Sequence, residues 1–301
     1  MKKNKILIAG GTGFIGYYLA KKCLSLNWSV DSISTKSPLK KRKLERVKYI
    51  KFDISKKKNL IKNLSQNYDY VVNLAGYVDH SHKEKTMRSH YDGCKNLSEF
   101  FLNKKIKKFI QIGSSIEYGK LKSPQKENIR NYQKTYSVYG KAKLLSTKFL
   151  MGLKKKYNFP ATVIRLYLVY GPKQDLNRLI PITIMNAIHN KKFKCSSGHQ
   201  LRDFIYIDDL INAILKILKS HNVVGEIINI GSGKPISVKK LILKICKLTK
   251  GGKPQFGKIP LRKDEIIKLY PNLSKVKKLF NWEPKIDLEK GLKETIKYFK
   301  K

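Results

Sequence analysis

The chain has 301 residues, 41% of them hydrophobic, which is enough for one large core or two smaller ones. No apolar run approaches the roughly 18 residues of a membrane span, and the start "MKKNKILIAGGTG" is too poor in apolar residues for a signal-peptide core, so a cytoplasmic protein without a membrane partner is expected. The net charge of +44 comes from 65 Lys and Arg spread over the whole length, without aromatic residues interleaved among arginines; this reads as solvated basic faces rather than a nucleic-acid site.

The first apolar run is "KILIAG" (5–10), followed by the helical pattern "FIGYYLAKKCLSL". The runs "WSVDSIS" (28–34), "VKYIKFDI" (47–54), "YDYVVNLAG" (68–76), "KKFIQIGSS" (107–115) and "ATVIRLYLVYG" (161–171) read as further strands. Between them lie the helical patterns "KKNLIKNLSQ", "MRSHYDGCKNLSEFFLNK" and "YGKAKLLSTKFLMGLKKKY". Such alternation predicts an α/β fold with a doubly wound parallel sheet. After residue 171 the order changes. "DLNRLIPITIMNAIHNKK" is a helix, and "LRDFIYIDDLINAILKILKS" turns from strand to helix, capped by Asp208 or Asp209. "GEIINIGSG" returns to strand, a helix starts at Ser237 and ends near Gly251, and the tail supplies two more helices. Residues 1–171, with returns near 203–231, form a nucleotide-binding domain in this reading; 172–202 and 232–301 form a smaller second one. The four cysteines lack a C-x-x-C pair and suggest neither a metal site nor a disulfide framework.

Gly10, Gly13 and Gly16 follow the first strand and open the first helix. A tight glycine turn there lets backbone N–H groups and the helix N-terminus meet a pyrophosphate. The spacing is G-x-x-G-x-x-G rather than the G-x-G-x-x-G of the standard dinucleotide fingerprint. The end of the second strand, where a ribose-reading carboxylate is expected, holds Ser34, Thr35 and Lys36, with Asp31 three residues earlier inside the strand. Hydroxyls and a lysine welcome a 2′-phosphate that a carboxylate repels, so NADP(H) is favoured over NAD(H). Asp53, closing the third strand, is a candidate acceptor for an adenine amine or a helix N-cap.

A phenol with an ammonium four residues on, on one helical face, can start or finish a redox step by moving a proton. Five tyrosines have that spacing: Tyr17, Tyr18, Tyr91, Tyr118 and Tyr139. Only Tyr139 is expected at the carboxyl edge of a parallel sheet, where sites form, with its lysine, Lys143, on a helix. Tyr136 has Gly140 in the lysine's place. Ser114 or Ser115, ending the fifth strand, can hold a substrate oxygen while Tyr139 delivers the proton, and the Lys143 charge is expected to lower the phenol pKa.

These residues resemble the extended short-chain dehydrogenases/reductases, the NAD(P)-dependent sugar-nucleotide epimerase/dehydratase group. The motifs that carry the likeness are "GGTGFIG" (10–16), "VVNLAG" (71–76), "IGSSIEYG" (112–119), "YGKAK" (139–143), "RLYLVYGP" (165–172), "LRDFIYIDDL" (201–210) and "NIGSGKPISV" (229–238), with a further match over 261–292. The resemblance implies a Rossmann-type cofactor domain, a C-terminal domain that grips a nucleoside-diphosphate sugar, and a homodimer. It selects Ser114, Tyr139 and Lys143 as the catalytic set. It implies cofactor contacts from the turn (Gly10, Gly13, Phe14, Ile15, Gly16) and from Ser34, Lys36, Asp53, Ile54, Leu74, Ala75 and Gly76, joined by Tyr139 and Lys143. It places Arg202 and Arg262 on the substrate diphosphate, with Arg178 and Cys195 as further cleft candidates. Leu168 replaces the asparagine of the R-x-x-N-x-Y-G-P motif, and His90 stands where a helix asparagine is usual. Ser114, Ser115 and Ile116 stand where dehydratases carry T-D-E, which argues against water elimination. A 4-ketoreductase of a 4-keto-6-deoxy sugar nucleotide is the expected activity, a 4-epimerase with retained NAD the alternative, and a non-catalytic or RNA-associated protein the least favoured.

Overall fold

The computed structural model describes residues 3–64, 67–77, 82–127, 137–220, 222–262 and 265–300. In chain order the strands are β1 (Lys5–Ala9), β2 (Ser29–Ser34), β3 (Val47–Lys51), β4 (Tyr70–Asn73), β5 (Lys108–Ser114), β6 (Ala161–Leu166), β7 (Leu168–Tyr170), β8 (Lys192–Lys194), β9 (Leu201–Arg202), β10 (Phe204–Tyr206), β11 (Ile227–Ile230), β12 (Ile236–Ser237), β13 (Lys253–Gln255) and β14 (Lys268–Leu269). The helices are α1 (Phe14–Ser25), α2 (Lys57–Asn63), α3 (Lys83–Met87), α4 (Gly93–Phe101), α5 (Val138–Tyr157), α6 (Leu179–Ile188), α7 (Ile207–Lys219), α8 (Val238–Thr249), α9 (Ser274–Phe280) and α10 (Leu288–Phe299).

Among the described residues, seven strands make one parallel sheet in the order β11-β6-β5-β4-β1-β2-β3. Successive side chains of a strand point to opposite faces, so a strand buried on both sides must be apolar throughout. β1 shows this: Ile6 and Ile8 join Leu19, Ala20 and Cys23 of α1 and Ile214 of α7 in one core. Leu7 and Ala9 join Leu60 of α2, Leu97 and Phe101 of α4, and Leu150 and Leu153 of α5 in the other. Each fully buried Ile, Leu or Phe side chain among these contributes about 2 kcal/mol of transfer free energy. The chain runs outward from β1 through β2 to β3, then jumps back to β4 on β1's other side. That reversal opens a crevice at the carboxyl ends of β1 and β4, the place where open α/β sheets bind ligands.

Two local expectations are corrected. The run 161–171 is not one strand. The backbone N–H of Tyr167 still donates to Ile230 in the large sheet, but that of Leu168 donates to Asp203, and β7 leaves to pair in parallel with β10. The cap expected for α7 from Asp208 or Asp209 is also absent. Tyr206 holds the N-cap position, and the Asp209 carboxylate instead accepts the backbone N–H groups of Lys285 and Ile286, at 3.0 and 2.9 Å, anchoring the segment before α10. The long helical pattern near residue 90 does form, with a π turn over Arg88–Asp92 between α3 and α4. β9 lies between β12 and β14, β8 pairs with β13, and α6 packs against α8 and α10. Among the described residues, no helix is long and apolar enough to cross a membrane.

Candidate active site

The glycine turn is shaped by contacts that leave no room for side chains. Gly10 has φ +80° and a Cβ there would lie 2.8 Å from the Ala75 nitrogen. A Cβ at Gly16 would come within 2.5 Å of the Gly10 carbonyl oxygen. The first turn of α1, beginning at Phe14 and Ile15, is thereby drawn against the turn, as a pyrophosphate cradle requires. Leu74, Ala75 and Gly76 follow β4 beside it: Leu74 N–H donates to Ala9, and Ala75 N–H to the Asn73 side chain.

At the end of β2 the Ser34 hydroxyl accepts from Thr12 Oγ1 at 2.9 Å, tying the strand end to the turn, while Lys36 is exposed. Asp31 is occupied inside the molecule, accepting from Tyr68 Oη at 2.6 Å and pairing with Lys5 at 3.4 Å. Asp53 accepts from Ser55 N–H at 2.9 Å in a local turn; it does not cap α2, whose N-cap residue is Lys56. Ile54 is buried and its side chain abuts Gly93 of α4.

Ser114 is the last residue of β5, paired in register with Leu166, and its hydroxyl accepts from Ile116 N–H to cap a short 3₁₀ turn over Ser115–Tyr118. Across from it, α5 starts at Val138, capped by the Ser137 hydroxyl accepting from Gly140 N–H at 3.1 Å. This start brings Tyr139 into hydrogen-bond contact with Ser114. Lys143, one turn on, lies with Nζ 5.9 Å from the centre of the Tyr139 ring and donates to the Ile112 carbonyl at 2.6 Å. The three residues selected from sequence therefore meet. Tyr136 lies outside the described residues.

The other tyrosines with the same spacing are placed differently. Tyr18 donates to the Pro172 carbonyl, Tyr17 faces Lys173, and Tyr91 packs edge-on to Phe149. Tyr118 is fully buried, donates to Asn229 at 2.8 Å, and burial pushes its phenol up to about 12.

The electrostatics depart from expectation in one respect. Burial raises the Tyr139 phenol above its ordinary value and Glu117 adds to this; the bond to Ser114 and the Arg178 guanidinium act against it. The expected lowering by Lys143 does not dominate, because burial lowers the Lys143 ammonium as well, to about 8, with Glu117 pulling it back upward.

His90 sits on the π turn with its ring edge-on to Tyr139, centroids 4.9 Å apart. A Cβ at Gly76 would fall 1.9 Å from its Cε1, so His90 is wedged between the strand end and the tyrosine. Arg178 is exposed at the start of α6 and acts on Tyr139 through space. Arg202 of β9 pairs with Glu265, and Glu265 N–H donates to the Arg262 carbonyl, which brings both arginines to one edge. Leu168 is 43% exposed. Cys195 is buried in a small apolar cluster with Val238 and Ile242. Among the described residues, no group of three His, Cys, Asp or Glu is arranged to hold a metal ion.

Reading the sequence missed Glu117. It is an acid one residue before Tyr118, in a turn otherwise apolar apart from serines, and that position was the available signal.

A family profile described as the NAD dependent epimerase/dehydratase family matches residues 6–231. The chain belongs to this family. Among its relatives is a CDP-abequose synthase of Salmonella muenchen, 28% identical, the match spanning 97% of this chain and 97% of that protein. A UDP-glucuronate 4-epimerase of Thermodesulfobacterium geofontis is 29% identical, spanning 98% and 95%. Among solved structures, the UDP-glucuronic acid 4-epimerase of Bacillus cereus in complex with UDP-glucuronic acid and NAD superposes with a TM-score of 0.87 at 26% identity, covering 98% of this chain and 99% of that one. The seven-stranded parallel sheet with flanking helices is thus the Rossmann-type frame of NAD-dependent epimerases and dehydratases.

Proposed function

We propose that this chain is an NAD(P)-dependent oxidoreductase of a nucleoside-diphosphate sugar, working as the 4-ketoreductase of a 4-keto-6-deoxy sugar nucleotide. The observation that carries the reading is the meeting of Ser114, Tyr139 and Lys143 at the carboxyl edge of β5. The Ser114 hydroxyl holds the carbonyl oxygen, Tyr139 gives that oxygen its proton, and the Lys143 charge offsets the negative charge developing on the phenol. A bound nicotinamide supplies the hydride. In this reading residues 1–171, with the returns near 203–231, hold the cofactor through the Gly10–Gly16 turn, Asp53, Ile54 and Leu74–Gly76. Residues 172–202 and 232–301 grip the substrate. Arg178, Arg202 and Arg262 meet the diphosphate, for which guanidinium forks are suited.

Preference for NADP(H) is supported by the strand end. Ser34 and Lys36 stand where a carboxylate would repel a 2′-phosphate, and Asp31 is held by Lys5 and Tyr68. The second reading, an NAD-dependent 4-epimerase, is supported by the 4-epimerases among the relatives and by the NAD in one of the similar structures. Water elimination is disfavoured because the one acid of the 3₁₀ turn after β5, Glu117, turns beneath Ser114 into the interior. The homodimer implied by the resemblance belongs to the same proposal and is checked by sedimentation.

The Tyr139→Phe variant tests the assignment. Turnover is expected to fall by about 10²–10⁴-fold, the usual worth of a positioned acid, while cofactor binding, followed by fluorescence titration, is retained. Full activity in this variant would remove Tyr139 from the chemistry.

A further inference from the structure

Glu117 is fully buried on the 3₁₀ turn after β5, and its carboxylate joins three elements. Oε1 accepts the Ser114 backbone N–H at 2.7 Å. Oε2 accepts from Thr147 Oγ1 of α5 at 2.8 Å and from Arg165 Nε of β6 at 3.0 Å. Its place is built into the strand, since a Cβ at Gly113 would lie 2.3 Å from Oε1. Thr147 is one helical turn beyond Lys143, so the carboxylate lies along the inner face of α5 that carries the ammonium.

We propose that Glu117 is a positioning residue: its carboxylate fixes Ser114 at the sheet edge and supplies the counter-charge that keeps the buried Lys143 protonated beside Tyr139. The inference rests on the reading of Ser114, Tyr139 and Lys143 as the proton-transfer set.

The physical argument starts from the lysine. Lys143 is 4% exposed and its ammonium donates to a neutral acceptor, the Ile112 carbonyl. A buried cation sheds its proton unless an anion is near. The groups that face it are Glu117 from the 3₁₀ turn, Cys94 from α4 and Tyr139 from its own helix. Burial pushes the Cys94 thiol up to about 12, so it supplies no negative charge here; Glu117 is the carboxylate of the set, ion-paired with Arg165 at 3.0 Å. Arg165 balances Glu117 with its Nε at 3.0 Å from the carboxylate and its guanidinium over the Tyr118 ring at 4.3 Å. Arg178 and His90 act at Tyr139. A buried ion pair such as Arg165–Glu117 is a poor source of stability, because desolvation offsets its attraction. What it does provide is a negative charge at a fixed place.

The test needs no substrate, so its failure is separable from failure of the proposed reaction. In protein with ¹³C-labelled lysine side chains, the resonance lost in Lys143→Arg identifies Lys143, and its titration is followed in the full chain. In Glu117→Gln its midpoint is expected to fall by about one pH unit relative to wild type. In Thr147→Val, which removes a bond and leaves the charge, the midpoint is expected to stay. If Glu117→Gln does not fold, the double variant Glu117→Gln/Arg165→Gln removes both charges, and the same downward shift is expected. An unmoved midpoint in the folded glutamine variant, or an equal shift in Thr147→Val, overturns the proposal.

Discussion

Burial holds the Lys143 ammonium at about 8, below the 10.5 of an ordinary lysine, so the folded protein binds this proton less tightly than the unfolded chain does. The sign follows from linkage. Below pH 8 the folded state carries the full cost of a buried charge; between about 8 and 10.5 the cost fades; above that range it is gone. Lys143→Met is therefore expected to raise unfolding free energy at pH 7 by about 2 kcal/mol, after the lost bond to Ile112 is set against the relieved charge. The gain should vanish above pH 10.5, as denaturant titrations at several pH values would show, and turnover should be lost. Residues of this kind were partly legible from sequence. Tyr139 and Lys143 share a helical face by spacing alone, and their location after the fifth strand distinguishes them from the four other pairs. Glu117 was not legible, because its meaning lies in contacts 30 and 48 residues away, with Thr147 and Arg165, which no local pattern encodes.

The start of α5 couples helix stability to chemistry, since Tyr139 is its second residue. Ser137→Ala removes the hydroxyl that accepts Gly140 N–H and is expected to cost about 1 kcal/mol in thermal or denaturant unfolding. Turnover should fall as well, because fraying of the first turn releases Tyr139 from Ser114. An unchanged kcat in a destabilised protein would show that the site tolerates a loose helix start. At this scale, strands and helices up to residue 166 were readable from apolar runs and helical periodicity. The break at Tyr167 was not, because "ATVIRLYLVYG" stays apolar through the change of partners from Ile230 to Asp203. Asp209 was misread for a related reason: an acid at a helix start looks like a cap, and only the fold brings Lys285 and Ile286 to it.

The whole molecule carries +44 against a proposed substrate with an anionic diphosphate. A net field of that sign draws anions in and is screened by salt with a Debye length of about 10 Å at 0.1 M. kcat/KM is expected to fall as ionic strength rises while kcat holds, a split that steady-state kinetics in graded salt would reveal. The doubly wound parallel sheet was legible as a class from strand–helix alternation; its strand order was not, nor were the small sheets around β9, whose strands of two or three residues leave no period to read. The central claim concerns the ketone that Tyr139 protonates. It is tested most directly by mixing the purified protein with NADPH and a nucleoside-diphosphate 4-keto-6-deoxy sugar and following the reduced-nicotinamide absorbance. The account predicts stoichiometric consumption by wild type and almost none by Tyr139→Phe. No consumption, with C4 epimers of a nucleotide sugar interconverted on tightly held NAD, would contradict it.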